Sequence, residues 1–258
     1  MEILSIDVGG SSMKGAVVNT ITGELLTEKL SVETPKDSTP ENMSQAMKTL
    51  VKDKFGWSGN VGCSFPTIVK NGVAKSYGNI DPSWLNVAID KLFEQACPDT
   101  KFYVGNDADL AGIAELKFGA GIGLDGKVLM VTIGTGLGTG IFYDGVLVPN
   151  IEFGRILYTD GNPIEFYAAG SAVNKDNLNM EQWAKRFNYF LNHVDRISSP
   201  DHFIISGGIT QDYEQFKDFL DCEVPIYLAK YREKSGIVGA GIFAEKSINR
   251  YAKQTINQ

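Results

Sequence analysis

Cysteine is scarce in this chain. Only Cys63, Cys97 and Cys222 occur, an odd and widely separated set without the C-x-x-C spacing of a structural zinc site or a redox dithiol. No zinc and a reduced, cytoplasmic setting are therefore expected. Runs of Lys and Arg are missing too, and the formal net charge is −7, which disfavours nucleic acid or an anionic membrane as a partner. No uninterrupted apolar run has the length of a membrane span, and Met1 to Asp7 lacks the basic region and long apolar stretch of an export signal. Low-complexity linkers are absent. So is the phosphate loop G-x-x-x-x-G-K-[ST], and Gly134 to Gly140 never spells the dinucleotide motif G-x-G-x-x-G. What remains is a chain of 258 residues, 43% hydrophobic, long enough for one large core or two smaller ones.

An internal repeat favours two. Ile6-Asp7-Val8-Gly9-Gly10-Ser11-Ser12-Met13-Lys14-Gly15-Ala16-Val17-Val18 lies over Val131 to Tyr143 without a gap, each copy an apolar strand, a glycine turn and a second apolar strand. Hairpin signals follow at Thr22-Gly23 and Asp144-Gly145, then third strands at 24–30 and 146–148. Each copy thus predicts an antiparallel start to a mixed sheet. Between the copies, 39–55 has helical spacing entered at Ser38-Thr39-Pro40-Glu41 with a cap and Pro at an early position, 60–65 reads as a strand, 87–96 as a helix, and 102–104 as a short strand. A helix over 109–118 follows Gly105-Asn106-Asp107-Ala108. Beyond the second copy, Trp183, Phe187, Phe190, Leu191 and Val194 mark the buried face of a helix over 180–195. A strand at 202–205, the turn Ser206-Gly207-Gly208, a helix over 213–220 and a closing helix from Ser235, rich in small residues, complete the order. The domains expected are 1–108 with about 237–258 as a small lobe, and 109–236 as a large one.

Glycine turns after buried strands expose successive backbone N–H groups that can ring a phosphate oxygen. Gly9-Gly10-Ser11-Ser12 and Gly134 to Gly140 both have this form; a pair of tight hairpins is the alternative. Asp7, at the end of the first strand, suits Mg²⁺ held directly or through water beside phosphates, whereas its counterpart in the second copy is the neutral Thr132. Lys14 either neutralises phosphate charge or is a surface residue. Asp107, between a strand and a helix, fits the base that accepts a hydroxyl proton in phosphoryl transfer. Asp109 is expected to cap that helix. Glu152, in Pro149-Asn150-Ile151-Glu152-Phe153-Gly154, can accept hydrogen bonds from sugar hydroxyls.

These residues resemble the ROK family of sugar kinases and repressors, and within it the polyphosphate glucokinases, over nearly the whole chain. The likeness runs in order through Ile6 to Gly15, Phe55-Gly56-Trp57-Ser58-Gly59, Asn79-Ile80-Asp81-Pro82-Ser83-Trp84, Asn106 to Gly112, Thr132 to Gly140, Pro149 to Gly154 and Gly236-Ile237-Val238-Gly239-Ala240. It implies an α/β fold of two ribonuclease-H-like lobes in the actin/hexokinase/Hsp70 ATPase architecture around a cleft. It implies Asp107 as catalytic base, Asn106 and Glu152 on sugar hydroxyls, and Gly9, Gly10, Thr135 and Gly136 on phosphates; the candidate site further includes Asn79 and Arg155 on the sugar side and Ser11, Ser12, Lys14, Gly138, Gly207 and Gly208 on the phosphate side. Mg²⁺ at Asp7, ATP or polyphosphate as donor, and a homodimer are implied with them. No DNA-binding helix-turn-helix precedes residue 1, so a kinase is expected in preference to a repressor. Where the family has His, a small apolar residue and Glu after Glu152-Phe153-Gly154, this chain has Arg155, Ile156 and Leu157. Glucose is therefore not assumed as acceptor, and a sugar or nucleotide sensor that kept the kinase fold stands as the alternative.

Overall fold

The computed structural model describes residues 1–78 and 80–256, and the chain divides into two compact units, Met1–Ala114 with the C-terminal segment from Lys234, and Glu115–Glu233. In the first unit the elements are β1 (Glu2–Val8), β2 (Ser12–Asn19), β3 (Leu30–Glu33), α1 (Pro40–Lys48), β4 (Gly59–Phe65), a small hairpin of β5 (Val69–Lys70) and β6 (Val73–Ala74), α2 (Ile89–Ala96), β7 (Thr100–Asn106) and the start of α3 (Asp107–Phe118). Its sheet has the order β3-β2-β1-β4-β7, antiparallel across β3-β2-β1 and parallel beyond. The second unit holds β8 (Lys127–Ile133), β9 (Leu137–Tyr143), β10 (Val146–Val148), α4 (Glu165–Ala168), α5 (Ser171–Lys175), α6 (Met180–Ser198), β11 (His202–Ser206), α7 (Tyr213–Phe216) and β12 (Ile226–Leu228). Its order, β10-β9-β8-β11-β12, repeats the first strand for strand, with the same senses. The chain then returns to the first unit as α8 (Ser235–Ile256).

Strand alternation builds each core. Leu4, Ile6 and Val8 of β1 join Val61, Cys63 and Phe65 of β4 against Met43 and Met47 of α1 and Phe93 of α2, with Trp84 edge-on to Phe65 at 4.8 Å between ring centres. The opposite face of β1, with Ile3, Ser5 and Asp7, meets α8. There the helix approaches so closely that a Cβ on Gly239 would lie 1.7 Å from Leu110 O, and one on Gly62 of β4 would lie 2.2 Å from Ala240 O. In the second unit the predicted face of α6 is fully buried: Trp183, Phe187, Phe190, Leu191 and Val194 pack on Leu129, Val131, Ile133, Phe203 and Ile205 of the sheet. An Asn179–Gln182 capping box starts that helix. Among the described residues no helix is long and apolar enough to cross a membrane.

Several elements depart from the sequence reading. The third strand of the first copy is 30–33, not 24–30, because the Thr27 hydroxyl takes the Val17 N–H at 3.0 Å and only a single bridge, Val18–Leu25, forms before it. The 39–55 helix takes Thr39 of the Ser38–Glu41 entry as its cap but widens at Lys48 into a π-helical stretch, Thr49–Lys54, closed by Phe55 N–H on Leu50 O. The helix over 213–220 is a single α turn followed by a 3₁₀ turn. The glycine segment 134–140 is not one long turn: from Leu137 onward it is β9, with Gly138 opposite Thr132 and Gly140 opposite Met130.

Candidate functional site

In the first unit, alternation along β1 fixes Asp7. Its carboxylate accepts a hydrogen bond from Ser64 Oγ at 2.7 Å, on the neighbouring parallel strand, and sits against Gly236 of α8, where a Cβ would lie 2.5 Å from Oδ1. Burial raises the Asp7 pKa, opposed by the Ser64 hydrogen bond and by the charge of Lys14, its cross-strand partner. The turn that follows is four residues, closed by Gly9 N–H on Ser12 O at 3.1 Å. Thr34, just past β3, holds it from outside: Oγ1 donates to Gly9 O at 2.6 Å and its N–H to Ser11 O at 3.1 Å. The N–H groups of Gly10 and Ser11 are left with no acceptor among the described residues. A cavity of about 350 Å³ opens beside them, lined in part by Thr34, Lys36 and Ser38.

Asp107 is the first residue of α3, and Ala108 N–H donates to its Oδ1 at 2.8 Å. Burial pushes its pKa up to about 6, the Ala108 N–H opposing this and the nearby negative charge of Asp7 adding to it. A carboxylate so placed is ionised at neutral pH yet basic enough to take a proton. Asn106 fixes the start of the helix by accepting the Asp109 N–H at 3.0 Å while its amide donates to Thr67 O at 3.1 Å. The cap is thus Asn106, and the expected cap, Asp109, lies inside the first turn, because the helix begins two residues earlier than the sequence suggests. Asn79 lies outside the described residues.

In the second unit the turn between β8 and β9 is Gly134-Thr135-Gly136, closed by Gly134 N–H on Gly136 O at 3.0 Å. Ser171, at the start of α5, donates its N–H to Gly134 O at 3.1 Å and its hydroxyl to Thr135 O at 2.7 Å. Glu165 of α4 accepts the Leu137 N–H at 3.2 Å; burial raises its pKa against that hydrogen bond and the charge of Arg155. Here too, two consecutive N–H groups, of Thr135 and Gly136, have no acceptor among the described residues. Gly207 has φ +98° and a Cβ there would lie 2.2 Å from Ile133 O, so it secures close approach of β11 to the end of β8, while Gly208 faces open space.

Glu152 is held by Thr139, whose Oγ1 donates to Ile151 O at 2.6 Å and accepts from Phe153 N–H at 2.9 Å. The short turn Phe153–Arg155 rests on β9, where a Cβ on Gly154 would lie 2.1 Å from Leu137 O. Arg155 is exposed and Leu157 is 67% exposed. Tyr158 to Gly161 form a turn in which Asp160 Oδ1 accepts the Asn162 N–H at 2.9 Å, and Tyr158 stacks on Tyr167 at 4.2 Å. Ser64, Thr34, Ser171, Glu165 and Thr139 were not singled out from sequence. Only Ser64 and Thr139 carried a signal, through strand register beside Asp7 and inward alternation along β9.

The family model for the ROK family matches residues 3–149. A polyphosphate glucokinase of Mycobacterium tuberculosis (strain CDC 1551 / Oshkosh) is 34% identical over 237 residues, covering 92% of this chain and 89% of that protein. The chain belongs to the ROK family. The crystal structure of an inorganic polyphosphate/ATP-glucomannokinase from Arthrobacter sp. strain KM superimposes with a TM-score of 0.91 at 36% identity, covering 95% of this chain and 99% of the other. A ROK glucokinase from Streptomyces griseus, solved with glucose and AMPPNP, matches at TM-score 0.80 and 23% identity over 95% of this chain and 100% of its own. The fold is that of the ROK sugar kinases, the actin/hexokinase/Hsp70 type, and the chain resembles the polyphosphate glucokinases of the family.

Proposed function

We propose that this chain is a sugar kinase, transferring a phosphoryl group from ATP or inorganic polyphosphate to a hydroxyl of a hexose or related sugar, with Asp107 as the base. The observation that carries the reading is the Asp107 carboxylate, pushed up to about 6 and fixed at the start of α3 beside the charge of Asp7. In the reaction the acceptor hydroxyl gives its proton to Asp107 as its oxygen bonds to phosphorus. The bond from that phosphorus to the bridging oxygen breaks, releasing ADP or a shortened polyphosphate. Gly10, Ser11, Thr135 and Gly136 supply N–H groups to phosphate oxygens. Gly9, Ser12, Gly138, Gly207 and Gly208 shape or flank those turns, and Lys14 adds positive charge beside Asp7.

Mg²⁺ suits this chemistry in one form. Among the described residues no cluster of three or more metal-ligating side chains exists, so Asp7 would hold the ion with donor phosphates and water completing its shell. Such an ion supplies charge neutralisation on the phosphates. Glu152, Asn106 and Asn79 are assigned to sugar hydroxyls, and Arg155 to the edge of the acceptor site. The reading includes a homodimer, a cytoplasmic setting and no zinc.

The test is the pH dependence of turnover with saturating ATP and sugar. Asp107 works deprotonated, so the rate is expected to rise through an apparent pKa near 6 and level off above it. A rate that is flat from about pH 5 to 8 would remove Asp107 as the base.

A further inference from the structure

Each glycine turn is gripped from outside by one hydroxyl residue that is not part of the repeat. Thr34 follows β3, and Ser171 opens α5 in a segment with no counterpart at that place in the first unit. Each nevertheless donates twice, once from its backbone N–H and once from its hydroxyl, to two carbonyls of the turn it faces: Gly9 O and Ser11 O for Thr34, Gly134 O and Thr135 O for Ser171. Each turn takes one more carbonyl itself, Ser12 O by Gly9 N–H and Gly136 O by Gly134 N–H, so all three carbonyls of the second turn are held, and in the four-residue first turn all but Gly10 O. Carbonyl oxygens repel a phosphate, and a turn free to rotate its peptide planes would present a mixture of donors and acceptors. Holding Gly9 O fixes the peptide that carries Gly10 N–H, and holding Gly134 O and Thr135 O fixes those that carry Thr135 and Gly136 N–H; these groups, with the adjacent Ser11 N–H, have no protein acceptor among the described residues.

We infer that the hydroxyls of Thr34 and Ser171 are positioning residues for the phosphoryl donor, each orienting one glycine turn so that its N–H pair faces phosphate. The inference rests on the kinase reading above for the nature of the ligand, and neither hydroxyl touches the ligand itself. Glycine makes the turns possible, but it also makes them pliable, and pliable donors must be ordered at the moment of binding. A hydroxyl clamp moves that ordering into the folded protein.

The experiment compares Thr34→Val and Ser171→Ala, which delete only the O–H donor and keep the backbone N–H, with the conservative Thr34→Ser and Ser171→Thr. Dissociation constants for MgADP and for tripolyphosphate are measured by titration calorimetry, and KM for donor and for sugar by steady-state kinetics. Loss of one hydrogen bond predicts donor binding weakened about 3- to 10-fold in each deletion variant, sugar KM unchanged, and recovery in the conservative pair. Unchanged donor binding in both deletions overturns the inference. So does equal weakening of donor and sugar without recovery by Ser or Thr, which marks a purely structural role. Because ligand binding is read directly, a wild-type chain that binds MgADP but turns over no sugar refutes the kinase reading while the clamp is still decided by the dissociation constants. A wild-type chain that binds neither MgADP nor tripolyphosphate overturns both.

Discussion

Asp107→Asn is expected to lower the turnover number for sugar phosphorylation by about 10³-fold, within the range that positioned general bases contribute, and to make the protein more stable. The two effects have one cause. The folded chain holds the Asp107 carboxylate at about 6, above its ordinary value, mainly because the site removes it from water. A carboxylate raised in this way favours the folded state fully only below its unfolded pKa near 4, and that contribution is lost as pH rises through about 6. At pH 7.5 wild type therefore carries an unfavourable charge that Asn lacks. Asn can still accept the Ala108 N–H, and it removes the repulsion from Asp7. The stabilisation expected is on the order of 1–2 kcal/mol, discounted because Asp107 is only half-buried by surface area, and it should vanish near pH 4. Thermal unfolding of both proteins at pH 4 and 7.5, with initial rates at pH 7.5, checks it. Equal stability at both pH values would mean that water reaches the carboxylate and that its basicity has another origin.

The second large effect concerns α8. Gly239→Ala is expected to destabilise the first unit by about 3 kcal/mol or more, with the unfolding midpoint falling by about 6–12 °C. Glycine inside a helix costs about 1 kcal/mol relative to alanine, yet Gly236, Gly239 and Gly241 all lie in this one. The geometry accounts for it. A methyl at 239 would lie 1.7 Å from the Leu110 carbonyl oxygen, and one at 241 would lie 2.7 Å from Ser5 Oγ. Backbone cannot swing aside as a side chain can, so the helix must lift from α3 and β1, carrying Gly236 away from Asp7. Gly208→Ala, with nothing within 4 Å, serves as control and is expected to leave the midpoint unchanged. A Gly239→Ala protein as stable as wild type would show that α8 tolerates a shift of its axis.

Much of this arrangement is legible in the sequence because it is periodic. The gapless overlap of Ile6–Val18 on Val131–Tyr143 anticipates two sheets that agree strand for strand, and the face of α6 follows from the spacing of its aromatic residues. Alternation alone places Asp7 on the face that meets α8, and the small residues from Gly236 to Gly241 foreshadow the close approach of that helix. What escapes is governed by contacts distant in sequence or by single side chains competing with the ladder. Thr27 displaces β3 through one hydroxyl, and Asn106 takes the capping role from Asp109. Thr34 and Ser171 reach turns 25 and 36 residues away, and nothing in their local composition separates them from other loop hydroxyls. Arg155 is conspicuous in sequence, yet its electrostatic link to Glu165 emerges only once α4 lies beside the Phe153–Arg155 turn.

Product identification tests the central claim most directly. Wild-type protein with Mg²⁺ and either ATP or polyphosphate is incubated with a panel of hexoses, amino sugars, sugar acids and polyols, and ³¹P NMR follows the phosphate. The account predicts a new sugar phosphate monoester from at least one hexose or related acceptor, formed in step with loss of the donor and absent with Asp107→Asn. Donor that binds but yields no ester with any acceptor, or only inorganic phosphate, would contradict it and place the chain among proteins that bind these ligands without transferring phosphate.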